Sequence, residues 1–239
     1  MTQLAERLTA AAKKLAISAD QLSFDPPVAC VYNPLKYAWP AYQQYLKKYA
    51  RRSCQVVLLG MNPGPWGMAQ TGIPFGEVAV VRDWLRIDAP IGRPSPEHPK
   101  RPIEGLSCAR SEVSGRRLWG LFRERFERPR AFFSQHLVLN YCPLVFMEAS
   151  ARNLTPDKLA IAQREALQTI CDQHLREVLA AIKPQWLIGI GAFAEKCGTR
   201  VAPPGVEVAR ILHPSPASPA ANRGWAEVAT KQLVDLGIW

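Results

Sequence analysis

Three short stretches carry polar side chains at places where a chain turns. Gly60-Met61-Asn62-Pro63-Gly64-Pro65 holds an amide, Asn140-Tyr141-Cys142-Pro143 a second amide, and His213-Pro214-Ser215-Pro216 an imidazole. No acid stands among them. Their chemistry is therefore directional hydrogen bonding: an Asn offers a donor and an acceptor side by side, and an imidazole offers one N–H to an oxygen that gains charge. Each stretch alone reads equally well as a turn, because Asn favours turns and Pro follows each of them. Three converging on one place are harder to explain that way.

The elements that would bring them together are legible in the hydropathy pattern. Residues 3–17 place Leu4, Leu8, Ala11, Ala12 and Leu15 at helical spacing. Pro40 opens a second helix with Tyr42, Tyr45, Leu46 and Tyr49 along one side. Gln55–Leu59 reads as a buried strand, and Gln135–Leu139, Trp186–Ile190 and Val206–Leu212 as three further strands. Between them the spacing predicts a helix over 77–85, an Arg-rich helix capped by Ser114 and running to about Phe126, and a long helix from Thr155-Pro156 to Ile182. A short helix follows Ile190, and a last one runs from Ser218-Pro219 to Gly237. Residues 60–76, with five Gly and three Pro, and residues 88–107 are long structured loops. Strands alternating with helices imply an α/β fold: a central parallel sheet of about four strands with helices on both faces. We expect one domain over 1–239, with the N-terminal helices of 3–50 packed on it. In open α/β sheets ligands bind beyond the carboxyl ends of the strands, which is where all three polar stretches fall.

Charge narrows the partner. Thirty Lys and Arg against twenty Asp and Glu give +10, a balance that attracts polyanions. Seven Arg and only three acids lie between Arg110 and Arg130. Arg donates in parallel pairs that suit phosphate, so this segment, through Arg116, Arg117 and Arg123 among others, is the expected footprint of a nucleic acid. The six cysteines are never closer than 24 residues, so no C-x-x-C pair is present and neither a metal nor an iron–sulfur cluster is expected. Cys54 and Cys142 lie in or beside apolar runs and read as buried thiols. No apolar run is long enough to span a membrane, and the first residues lack a secretory pattern, so an intracellular protein is expected.

Gly189-Ile190-Gly191-Ala192-Phe193-Ala194 fits the dinucleotide fingerprint after a strand and before a helix. That motif needs an acid at the tip of the next strand, and the only acid there, Glu207, lies near the strand's start. The glycines read better as a tight strand-to-helix turn.

These residues carry a resemblance. The run from Gly60 through Trp66-Gly67-Met68-Ala69-Gln70-Thr71-Gly72 is similar to the first motif of the single-strand-selective monofunctional uracil-DNA glycosylases, and His213-Pro214-Ser215-Pro216 through Asn222-Arg223-Gly224-Trp225 resembles their second. Pro74-Phe75-Gly76-Glu77, Glu97-His98-Pro99-Lys100-Arg101-Pro102, Ser111-Glu112-Val113-Ser114-Gly115 and Asn140-x-Cys142-Pro143-Leu144 match as well. The resemblance spans roughly residues 25–235.

It implies an enzyme that flips uracil out of single- or double-stranded DNA and hydrolyses its bond to the sugar, without cofactor or metal, as a monomer. His213 would donate to uracil O2, with the N–H near Met61 as a second donor. Asn62 would orient the attacking water, although its amide cannot take a proton as a carboxylate would. Asn140 would read uracil O4 and N3–H and reject cytosine, whose pattern is reversed. Phe75 would stack on the base. Gly64 would leave room beside C5 for a water that a 5-hydroxymethyl group displaces and a methyl group cannot replace, so that uracil and 5-hydroxymethyluracil are substrates and thymine is not. Pro214, Ser215, Pro216 and Ala217 would form the loop that enters the duplex, with Ser215 a phosphate ligand. Vertebrate members carry a basic residue where this chain has Ala217, which puts the plugging of the strand in doubt. The rival readings are a non-catalytic nucleic-acid-binding α/β module, which would have lost Asn62 or His213, and an iron–sulfur glycosylase of the same superfamily, which would need the missing cysteine pair.

Overall fold

A computed structural model describes residues 2–239. Its helices are α1 (Gln3–Asp20), α2 (Pro34–Tyr37), α3 (Trp39–Tyr49), α4 (Met68–Thr71), α5 (Val113–Phe126), α6 (Pro129–Phe132), α7 (Ile161–Ile182), α8 (Ala192–Val201), α9 (Pro219–Asn222) and α10 (Trp225–Asp235). Its strands are β1 (Cys30–Tyr32), β2 (Val56–Gly60), β3 (His136–Asn140), β4 (Val145–Met147), β5 (Asn153–Leu154), β6 (Trp186–Ile190) and β7 (Glu207–Ile211).

The central sheet has the order β3-β2-β6-β7 and is parallel throughout. All five residues of β2 are buried, as a strand covered on both faces requires. The register sets the functional edge. Gly60 pairs with Asn140 and Ile190 with Ile211, so the three polar stretches leave the sheet at one level. The four expected strands are thus present in the expected direction.

Helix α1 buries Leu4, Leu8, Ala12 and Leu15 along one stripe and packs against α7 and α3. On the sheet, α8 lies close because Gly189 has no side chain: a Cβ there would stand 2.6 Å from Glu195 Cα. Under α5, Trp119, Phe122, Phe132 and Phe133 are fully buried, with Phe122 stacked on Phe132 at 4.4 Å. Cys54 and Cys142 are buried, as their apolar surroundings predicted.

Several boundaries differ from the sequence reading. A second, antiparallel sheet, β1-β4-β5, was not anticipated. The segment 77–85 contains a π-helical turn over Val80–Trp84. Ser114 does not cap α5, which begins at Val113 after Glu112. Pro156–Lys158 forms a separate 3-10 turn before α7. Ser218 does cap a helix, accepting from the Ala221 N–H at 3.3 Å, but α9 stops at Asn222. There Gly224, at φ +131, re-aims the chain into α10.

Candidate active site

The carboxyl edge of the sheet holds the site. At Gly60, the last residue of β2, a Cβ would collide with Asn140 Oδ1 and the Phe75 ring edge, whose Cζ would be 3.0 Å away. Only glycine lets those two side chains meet over the strand end. Asn140 Nδ2 lies 3.2 Å from Met68 Sδ, while its Oδ1 is buried and has no partner among the described residues. Unpartnered buried acceptors are rare in folded proteins, and this one stands at the open end of the sheet.

Phe75 adopts φ +54, a conformation that costs an L side chain about 1 kcal/mol or more. The surroundings accommodate it. The Phe75 carbonyl accepts the Glu77 N–H at 2.8 Å and lies against Gly115 in the first turn of α5, where a Cβ would collide with it. The strained turn holds the ring 6.0 Å from the His213 ring, tilted by 46°.

His213 follows β7 and rests on Gly191, where a Cβ would stand 3.1 Å from His213 Cβ. Gly191 has φ +93 and donates its N–H to the Ile211 carbonyl at 2.9 Å. The glycines of the G-x-G-x-x-A run therefore make a tight turn and a seat for the imidazole. Burial pushes the His213 pKa below the ordinary value of 6.5, so the ring is neutral at neutral pH and keeps one N–H donor.

Asn62 donates Nδ2 to the Leu144 carbonyl at 3.2 Å, which leaves its Oδ1 as an acceptor for a water. The Met61 carbonyl accepts the Cys142 N–H at 2.8 Å and ties this loop to the one after β3. The Met61 N–H has no partner among the described residues. Asn62, Met61, Phe75, Asn140 and His213 are thus assembled on one edge.

The loop after His213 runs outward from buried Pro214 through half-buried Ser215 to exposed Pro216 and Ala217. Ser215 Oγ accepts the Ala217 N–H at 3.1 Å, which shapes the turn.

Three features escaped the sequence reading. Gly64 does not leave an open space: a Cβ there would stand 2.9 Å from Glu112 Cδ, so the Glu112 carboxyl fills that corner. The signal was present, since Ser111-Glu112-Val113-Ser114-Gly115 matched the family without a role. Second, Arg117 is engaged within the protein, donating to the Pro214 and Ser215 carbonyls and to Asn222 Oδ1. Third, two guanidinium groups lie over the Trp66 ring, that of Arg101 at 4.9 Å and that of Arg110 at 4.4 Å from its centroid.

The sequence profile described as the uracil DNA glycosylase superfamily matches residues 47–233. A single-strand selective monofunctional uracil DNA glycosylase of Mus musculus is 46% identical over 238 residues, covering 98% of this chain and 85% of the mouse protein. The chain belongs to this glycosylase family. The Bos taurus member is 48% identical over 221 residues, covering 91% of this chain and 81% of that protein. The crystal structure of wild-type SMUG2 from Pedobacter heparinus superposes with a TM-score of 0.65 at 19% identity, covering 95% of this chain and 97% of that one, which shows the shared fold. The Phe75 ring, the Asn140 amide and the His213 imidazole stand together on this sheet edge.

Proposed function

We propose that this chain is a monofunctional DNA glycosylase that hydrolyses the N-glycosidic bond of uracil and 5-hydroxymethyluracil, leaving an abasic site for base excision repair. The observation that carries the reading is the buried, unpartnered Oδ1 of Asn140, held beside the Phe75 ring over Gly60. A base inserted against Phe75 meets that acceptor with its N3–H. Asn140 Nδ2 then faces O4, in exchange for its weak contact with Met68 Sδ. Cytosine would set an acceptor against Oδ1 and a donor against Nδ2.

In the reaction, the bond between C1′ and N1 breaks and its electron pair stays on the base. The charge spreads to O2, where the neutral His213 imidazole and the Met61 N–H donate. Water held by Asn62 Oδ1 attacks C1′. Since an amide accepts no proton, the water's proton leaves to the departing base or to solvent. Catalysis therefore leans on stabilising the leaving group more than on a general base. No Lys stands in the rim motifs to form an imine with the sugar, which makes the enzyme monofunctional.

The DNA partner fits the +10 charge and the exposed Arg110 and Arg116, with half-buried Arg101 beside Trp66. We take the enzyme to act as a monomer on single- and double-stranded genomic DNA inside the cell, with the 214–217 loop against the strand. A labelled uracil oligonucleotide tests the reading. Alkali after incubation should cut the strand at the uracil, with or without EDTA, and omission of alkali should leave it whole. An intact strand after alkali would overturn the proposal.

A further inference from the structure

The N-terminal half of α7, one side of α8 and the loop after β3 enclose a cleft of about 310 Å³, lined by none of the residues assigned to the base. Its size is that of a small-molecule site and more than a lone phosphate fills. Leu167 and the rings of Tyr141 and Phe193 give it an apolar wall, the two rings meeting edge to face at 6.0 Å. Phe193 comes from the glycine-rich run 189–194. The glycines of that run serve the turn and the imidazole, which leaves its aromatic side chain to the cleft.

Three cations line the cleft, Arg164, Lys196 and Arg200, against one acid, Asp157, which stands 3.5 Å from Lys158. Arg164 and Lys196 pair with no carboxylate among the described residues. Lys196 and Arg200 lie one turn apart on α8 and so share a face. Arg200 is held in place: Nε and Nη2 donate to the two oxygens of buried Asp172 at 2.7 Å each, and Nη2 also donates to the Tyr141 hydroxyl at 3.0 Å. Its Nη1 has no partner among the described residues. The Tyr141 O–H in turn donates to Asp172 Oδ1 at 2.7 Å, which fixes the ring. A positioned guanidinium beside two unpaired cations suits a phosphate, and the apolar wall suits a flat ring.

We propose that this cleft is a second nucleotide-binding site, holding one phosphorylated nucleoside unit with its phosphate on Arg164, Lys196 and Arg200 and its base against Phe193 and Leu167. A free nucleotide and a nucleotide within a DNA strand present the same chemistry to it. The cleft borders the base receptacle through Tyr141, which follows Asn140 and donates its N–H to the Gly60 carbonyl at 2.9 Å. Binding here does not depend on the glycosylase reading, because no group that would act on uracil lines the cleft.

The test measures binding of deoxyadenosine monophosphate (dAMP) to the full chain by calorimetry, beside inorganic phosphate and deoxyadenosine. The wild type should bind dAMP ~10-fold tighter or more than either part, because the charged bonds and the ring contact act together. Arg164→Gln combined with Lys196→Gln should weaken dAMP by ~10-fold or more. Phe193→Ala should weaken dAMP but leave inorganic phosphate within ~2-fold of its wild-type affinity. Asn140→Ala, which alters the base receptacle, should leave dAMP affinity where it was. Wild-type binding of dAMP no tighter than that of phosphate would overturn the proposal, and so would dAMP affinity that survives the double substitution. The wild-type comparison decides even if a variant fails to fold. Anisotropy with a uracil-free oligonucleotide then tells the two sources apart. If a strand enters the cleft, dAMP displaces the oligonucleotide from the wild type and no longer does so in the double variant. If the cleft takes free nucleotides, dAMP binds and the oligonucleotide stays in place. Either result supports the site, and each names its occupant.

Discussion

Arg117 on α5 donates to the carbonyl of Pro214 at 3.1 Å, across 97 residues of sequence, and so fastens the loop that follows the imidazole. The same guanidinium reaches the Ser215 carbonyl at 3.3 Å and Asn222 Oδ1 at 2.8 Å. Its donors are directed into the protein, whereas Arg116 and Arg123 are exposed. The Arg-rich segment therefore divides into a fastening and a set of free cations.

That division predicts different salt behaviour. Neutralising Arg116 or Arg123, where each meets a phosphate, should reduce the slope of log affinity against log salt by about 1. Arg117→Gln should leave the slope unchanged and slow base release, because the loop loses its anchor. Fluorescence anisotropy with a uracil oligonucleotide between low and moderate salt separates the two. A slope change for Arg117→Gln equal to that for Arg116→Gln would show that Arg117 also neutralises phosphate.

His213→Ala and Asn62→Ala should each lower the single-turnover rate by ~10²–10⁴, the usual loss on removing a positioned catalytic group. The two should be comparable, because neither side chain is a strong base. In the free enzyme the imidazole should titrate below 6.5 by NMR, in keeping with its burial. A rate near the wild-type value for either variant would remove that residue from the mechanism.

Much of this was readable in the chain. β2, β3 and β6 are apolar runs, almost wholly buried, and such runs announce themselves by composition alone, whereas the edge strand β7 carries exposed Glu207 and Arg210. The polar stretches beyond them could be placed because parallel strands end together. The second sheet could not, since β1, β4 and β5 have two or three residues each and display no period. The positive φ of Phe75 is accommodated by Gly115, forty residues away, which leaves room for the Phe75 carbonyl, and Phe is an unusual choice for that conformation. Glu112 was hidden for a related reason: an acid among arginines reads as surface charge, and only packing against Gly64 and Gly67 gives it a place.

Gly191 supports the imidazole without touching substrate. At φ +93 an alanine would be strained, and its Cβ would stand 3.1 Å from His213 Cβ. Gly191→Ala should destabilise the protein by about 1 kcal/mol or more and reduce kcat by roughly tenfold through displacement of the ring, with KM less affected. Thermal melts and steady-state rates on the uracil oligonucleotide measure both. Unchanged kcat would mean that His213 does not depend on that seat.

Acid should destabilise the fold through His174 on α7. This side chain is buried against α1, its Nδ1 has no partner among the described residues, and burial holds its pKa down to about 4 against an ordinary 6.5. In the unfolded chain the imidazole takes a proton as the pH falls through 6.5, and in the folded chain it resists until about 4. The unfolded state thus binds more protons over that window, and stability falls as pH falls, by about 3 kcal/mol across the whole interval. His136 on β3, buried beside Phe132 and accepting the Trp239 indole N–H at 3.1 Å, is shifted the same way and adds to the loss. Urea midpoints at pH 7.0, 5.5 and 4.5 should therefore decline, and His174→Leu should flatten the decline even if it changes the midpoint at pH 7.0. A decline of equal steepness in that variant would assign the acid sensitivity to other groups.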